Sequence, residues 1–297
     1  MSHRFSLRQI EYAVAVADAL NFREAAEQCH VSQPSLSAQL AQMEDAIGMR
    51  LFERDRRHVL VTRQGAEVIA RARALLRAAD DVVMSVRRAA DPFGGTLRIG
   101  IIPTVSPYLL PRIAPVLRRE YPRLHIQWSE ERTAILASRL ESGTLDAMLL
   151  AREAHLGHVD CEVIATDRFL LAASRTHPLV RSSRPARIAE LRGEDVLLLE
   201  DGHCFRDQAL AICSRAKANE LEFRATSLTT LVQMVAAGDA VTLLPELAVS
   251  VEARGLKLRK FAEPGPHRTI VLAWRKSFPM SSALRTIGAT LRSTIRR

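Results

Sequence analysis

Apolar residues fall three and four apart at Leu7, Ile10, Val14 and Ala17, the spacing of one helix face, and predict a first helix up to about Ala19. Asn21, standing three before Glu24, has the form of a capping box and starts a short helix, Phe22 to Cys29, buried through Phe22, Ala25 and Ala26. Ser32 caps a third helix with Pro34 in its first turn; Leu36, Leu40, Met43 and Ile47 line its inner face and Gly48 stops it. Arg50 to Arg63 alternates around Leu51, Val59 and Val61 like a small hairpin wing. From Thr62 one long helix to about Ala90 follows from the stripe Ile69, Ala72, Leu76, Ala79, Val83, Val86 and a second row at Val68, Leu75 and Val82. With no domain of its own to pack on, such a helix reads as a dimerising coiled coil.

Asp91-Pro92-Phe93-Gly94-Gly95 breaks the pattern as a linker. Beyond it, strands and helices alternate: Thr96 to Ile102, a helix around Leu109 to Tyr121, Leu124 to Trp128, a helix Thr133 to Gly143, and Leu145 to Leu150. That order predicts an α/β unit with a parallel sheet, whose ligands bind off the carboxyl ends of strands. Thr104 and Ser106 after the first strand and Thr133 after the second are placed to face one cleft, although each taken singly is better explained as a plain helix cap. A second unit starts near Asp167 and includes Phe169 to Ala173, Val196 to Leu199, a helix around Leu228 to Ala237 and Ala240 to Leu244; Thr269 to Trp274 returns to the first sheet before a final helix, Ser282 to Ile295.

The 297 residues carry a formal net charge of +9, but residues 1–90 hold 13 Arg against 11 acidic residues, so the total says little about a nucleic-acid partner. The local pattern says more. Helix, short helix, turn and capped helix make a helix-turn-helix, whose second member enters the major groove of double-stranded DNA. Its outward residues Ser32, Gln33, Pro34, Ser35, Ser37 and Gln39 are mostly amides and hydroxyls suited to base edges, and the wing arginines Arg54, Arg56 and Arg57 are suited to phosphates. No apolar run approaches a membrane span and no basic-apolar leader is present, which places the chain in the cytoplasm with its four cysteines as thiols. The histidines form no metal spacing, no glycine loop suits a phosphate cofactor, and no hydrolytic triad motif appears; cofactor, metal and enzyme are all expected to be none.

The stretch Glu200 to Cys213 holds the candidate chemistry. A turn at Asp201-Gly202 puts Cys204 near a helix N-terminus, which favours negative charge. Arg206 and His203 lower a thiol pKa, while Asp201 and Asp207 push the other way. Along an intact helix Cys213 lies about 13 to 14 Å from Cys204, and a disulfide needs Cα atoms within about 7 Å. Joining them therefore requires the segment to unravel first. The plainer reading is that both are small buried residues, as Cys29 and Cys161 are read to be.

The segments "FREAAEQCHVSQPSLSAQLAQMEDAIGMRLFER" and "VTRQGAEVIARAR" resemble the LysR-type transcriptional regulators over residues 6–90. The resemblance implies a winged helix-turn-helix at 1–62 and a linker helix at 63–90. It also implies a two-lobed, periplasmic-binding-protein-like α/β effector domain, one lobe from 91–166 with 268–297 and the other from 167–267. Many members carry a basic residue near the positions of Ala38 and Ala41, so this chain leans more on the wing and on Arg23. The likeness is closer still to the hydrogen-peroxide-sensing members at "IPTVSPYLLP", "LEDGHCFRDQA", "FRATSLTTLVQMVAAGDAVTLLPELAV" and "HRTIVLAW". It implies Cys204 as the peroxidatic and Cys213 as the resolving cysteine, with Thr104, Thr133, His203, Arg206, Asp207 and Arg268 around the peroxide. It further implies a dimer of dimers on a pseudo-palindromic operator, with RNA polymerase as a partner. The rival expectation keeps the DNA binding but gives the cleft to a small metabolite, with both cysteines inert.

Overall fold

A computed structural model describes residues 5–54, 59–91, 93–153 and 158–295, with side chains for all of these except 54, 81 and 83–90. The chain divides into two compact units, residues 1–90 with 141–143, and residues 91–140 with 144–297.

In the first unit α1 (Leu7–Ala19) is closed by a capping box between Ser6 and Gln9. Helix α2 (Phe22–Gln28) is capped by Asn21, whose side chain accepts from the N–H groups of Arg23 and Glu24. Ser32 caps α3 (Gln33–Ile47), and Gly48 ends it in the left-handed region at φ 71°. The apolar faces meet in one core built on Ala13, Val16, Ala25, Leu36 and Leu40. Glu44 belongs to this interior without being apolar: its buried carboxylate accepts from the N–H groups of Leu51 and Phe52 and pairs with Arg50, fastening the end of α3 to the wing. The wing is an antiparallel pair, β1 (Phe52–Arg54) and β2 (Val59–Val61), with residues 55–58 of its turn outside the described residues. Helix α4 (Arg63–Ala90) corrects one expectation. Ile69 and Ala72 are buried and Leu76 is partly buried against the core of the same unit, whereas Leu75 and Val82 of the second row are exposed. The first part of the stripe thus has a domain to pack on.

The second unit is organised by one mixed sheet. Its strands are β3 (Gly95–Ile101), β4 (Leu124–Glu130), β5 (Ala147–Ala151), β6 (Val159–Ser174), β7 (Asp195–Leu199), β8 (Asn219–Ala225), β9 (Val241–Pro245), β10 (Leu256–Lys260) and β11 (His267–Arg275). Its helices are α5 (Ser106–Glu120), α6 (Thr133–Ser142), α7 (Cys204–Ala216), α8 (Leu228–Ala237), α9 (Val249–Glu252) and α10 (Ser281–Ile295). The order β4-β3-β5-β11-β6-β9-β7-β8, with β10 beside β6, is parallel within β4-β3-β5 and within β9-β7-β8. The parallel sheet expected for the strands between Thr96 and Leu150 is there in β4-β3-β5, and the sheet becomes antiparallel wherever β6 or β11 pairs. The reason is β6, a single strand of 16 residues that pairs with β11 through its first half and with β9 and β10 through its second. Two cores form on the two halves: one around β3, β5 and β11 with α5 and α10, the other around β7, β9 and the end of β6 with α7 and α8.

Candidate functional site

Strand β7 ends at Leu199, the chain turns through Gly202 at φ 93°, and α7 begins at Cys204. A side chain at Gly202 would be strained by that φ and would lie 3.3 Å from Cδ of Arg132. Cys204 therefore occupies the first turn of a helix whose N-cap, His203, makes no side-chain capping bond, at the end of the helix dipole that favours negative charge. It is 8% exposed and packs with the core of the first lobe, whereas Cys213, 4% exposed, packs with the core of the second. Both are free thiols on one unbroken helix, about 13 to 14 Å apart by helical rise. Burial, with Glu220 adding to it, pushes the Cys213 thiol up to about 11.

The charges around Cys204 are already paired with one another. Arg206, 4% exposed, bonds Asp201 at 2.7 Å and Glu220 at 2.8 Å, and Arg224 bonds Asp201 at 2.8 Å. The arginine expected to favour the thiolate is thus largely neutralised by the turn before α7 and by strand β8. Asp201, expected to oppose the thiolate, has its carboxyl held below the usual range by the same Arg206. Asp207 is exposed in the first turn. His203 is buried, and that burial, together with nearby Arg132, lowers its pKa and favours a neutral imidazole. Arg132 ties the loop before α6 to the turn before α7 through an ion pair with Glu200 and a 3.4 Å bond to the Asp201 carbonyl.

Arg268 is the centre of the buried polar chemistry. It is fully buried, donates through Nε to Asp167 at 2.9 Å, and grips Thr104 twice, at Oγ1 (2.8 Å) and at the carbonyl (2.9 Å). Its guanidinium lies 5.5 Å from the ring centroid of Phe205, the residue after Cys204. Among the described residues, the buried side-chain polar atoms without a partner are Thr133 Oγ1, His203 Nε2 and both ends of the Gln208 amide. Gln208 follows Cys204 by one helical turn and shares its face. Each such orphan costs about 1–3 kcal/mol unless something polar completes it. A thiol at a helix start, flanked by an uncommitted imidazole and amide, is equipped to attack a small polar electrophile.

The structure therefore brings Thr104 into direct contact with Arg268 and leaves Thr133 and His203 with uncommitted atoms, while it binds Arg206 into a separate ion network. Sequence reasoning passed over Asp167, Gln208, Arg132 and Glu220. Signals for two of them were present: Gln208 stands four after Cys204, and Asp167 breaks the apolar run between Val163 and Ala173.

On the first unit Ser32, Gln33, Pro34 and Ser35 are exposed at the start of α3, and Ser37 is half-buried. Gln39 is half-buried too, its amide oxygen accepting from Gln9 at 3.2 Å. Arg23 is exposed and pairs with Glu27 at 3.2 Å. Arg54 has its backbone in β1, whereas Arg56 and Arg57 lie outside the described residues.

Two family descriptions match the chain: the lysR-family bacterial regulatory helix-turn-helix protein over residues 7–66, and the LysR substrate binding domain over residues 90–296. The DNA-binding transcriptional dual regulator OxyR of Escherichia coli (strain K12) is 42% identical over 293 residues, covering 97% of this chain and 95% of that one. A full-length OxyR cysteine variant from Pseudomonas aeruginosa superposes with a TM-score of 0.79 at 33% identity, covering 98% of this chain and 96% of that one. An H2O2-bound OxyR cysteine variant from Corynebacterium glutamicum gives 0.66 at 31% identity, over 99% and 96%.

Proposed function

The chain belongs to the LysR family of bacterial regulators, in its OxyR-type branch, and on that premise we propose that Cys204 is its peroxidatic cysteine and Cys213 its resolving one. The thiolate of Cys204 attacks one oxygen of hydrogen peroxide, the O–O bond breaks, and a sulfenic acid and hydroxide form. The Cys213 thiolate then attacks the sulfenic sulfur and expels a second hydroxide, so that two thiols are oxidised and one peroxide is reduced. The second step needs α7 to unwind, because the helix holds the sulfurs apart. Unwinding also exposes Cys213 and returns its pKa toward that of a free thiol.

The observation that carries this reading is a thiol at a helix start flanked by the orphaned polar atoms of His203 and Gln208, with a third orphan at Thr133, next to the Arg132 that bonds the turn before α7. Thr104 and Arg268 supply donors, and Arg206 and Asp207 act through the turn and helix that hold Cys204. Residues 1–62 bind DNA through Arg23, the start of α3 and the wing, residues 63–90 dimerise, and residues 167–267 form the lobe that refolds. A dimer of dimers on a pseudo-palindromic operator converts that refolding into a changed half-site spacing read by RNA polymerase in the cytoplasm. The protein reacts once and is slowly recycled, a sensor and not a turnover enzyme.

Thiol titration after one equivalent of peroxide tests it: two thiols per chain are lost, and mass spectrometry finds the 204–213 cross-link. A Cys204→Ser protein whose DNA contacts still respond to peroxide would sink the reading.

A further inference from the structure

We propose that Asp167 is a positioning residue for the peroxide reaction, fixing the Arg268 guanidinium so that Thr104 meets the departing oxygen as a committed hydrogen-bond donor; this rests on the reading of Cys204 given above. Asp167 and Arg268 are direct cross-strand partners on β6 and β11, where those strands pass between the lobes. Both side chains are wholly buried, with Nε to Oδ2 at 2.9 Å. The other carboxylate oxygen accepts from the Leu247 N–H at 2.9 Å, so Asp167 has no freedom to rotate. The Phe205 ring closes one face of the guanidinium and is itself held edge-on by Phe169 at 5.3 Å.

The consequence falls on Thr104. Its hydroxyl accepts from Arg268 Nη1 at 2.8 Å, and its carbonyl accepts from Nη2, which fixes the residue at two points. A threonine hydroxyl has one hydrogen, and among the described residues that of Thr104 is given to no protein acceptor. A cation on its acceptor side polarises that O–H toward donation. As the Cys204 thiolate bonds to one peroxide oxygen, the O–O electron pair leaves with the other as hydroxide. That oxygen receives the Thr104 hydrogen bond and takes its proton from water. Without Asp167, Arg268 keeps its charge but loses the anchor that sets its angle.

The test uses the reduced full-length protein and two rates at Cys204: oxidation by hydrogen peroxide and alkylation by iodoacetamide. In Asp167→Asn the amide oxygen serves either Arg268 or the Leu247 N–H, not both. Peroxide oxidation is expected to slow by about ten-fold or more. Alkylation, which reports thiolate content and access, should stay within about two-fold. Arg268→Lys, which keeps the charge but not the fork, is expected to give the same split should Asp167→Asn fold poorly. Thr104→Val should give the same loss, and the Asp167→Asn/Thr104→Val double variant no greater one, because all act through one hydroxyl. Unchanged peroxide rates in both Asp167→Asn and Arg268→Lys, losses that multiply in the double variant, or a parallel fall in alkylation would each overturn the proposal. A wild-type Cys204 no faster with peroxide than free cysteine would instead overturn the sensor reading, before any variant is made.

Discussion

Single residues in this protein are set by what they are shut away with. Cys213 sits in an apolar core with its thiol pushed up to about 11, so near neutral pH its thiolate is scarcer than in an unfolded chain by about 100-fold. Iodoacetamide at about pH 7.5 is expected to label Cys213 on that order faster in urea than in the folded reduced protein, as peptide mass spectrometry will read. His203 gives the pH dependence. Its folded pKa lies below the free value of about 6.5, so between the two the unfolded chain binds a proton that the folded one refuses. Stability is therefore present above that window and falls as pH drops through it. The urea midpoint should decline on acidification from about pH 7.5 to 5.5, and His203→Gln should remove part of the decline. Asp201, held low by Arg206, keeps its contribution until the pH is lower still.

At the scale of the element, α7 is the part that yields in the proposed reaction, and its first turn is tied down by the network of Arg206, Asp201, Glu220 and Arg224. Arg206→Ala leaves Glu220 without its close cation and is expected to cost about 1–3 kcal/mol locally. Hydrogen exchange should speed up over Cys204 to Cys213 while the amides of β3 and β5 stay protected. The helix itself was legible in the sequence, because a Gly turn followed by apolar spacing marks a helix start, and Asn21, Ser32, Pro34 and Gly48 announce the first unit's helices in the same way. What surrounds Cys204 was not. Arg206 stands two residues on and so leaves the helix on another face, toward a strand whose neighbours no periodicity specifies. Arg268 and Asp167 are separated by 101 residues, and their meeting depends on strand order. The antiparallel centre of the sheet was illegible for a related reason: local alternation of strands and helices gives the parallel β4-β3-β5 but cannot reveal that β6 extends across both cores and that β11 comes back antiparallel beside it.

At the scale of the whole molecule, the long helix α4 presents two apolar rows to different surroundings. Ile69 is 2% exposed in the core of its own unit, and Ile69→Ala should cost about 2–5 kcal/mol there. Leu75 and Val82 are 46% and 66% exposed and carry the proposed dimer contact. Leu75→Glu with Val82→Glu is expected to leave the thermal midpoint of the monomer nearly unchanged while sedimentation shifts toward smaller species and operator affinity falls. The second unit carries a different consequence, one of timing. Strand β11 lies between β5 and β6, yet it and α10 follow both of them, and α7, along the chain and so are made later. Until the ribosome releases them, β5 and β6 face an empty lane, and Asp167 and Thr104 wait for the arginine that joins them. Both sulfurs of α7 have emerged by then, so a nascent chain passes through an interval in which it holds the two thiols proposed to react without the scaffold that would give their oxidation a meaning.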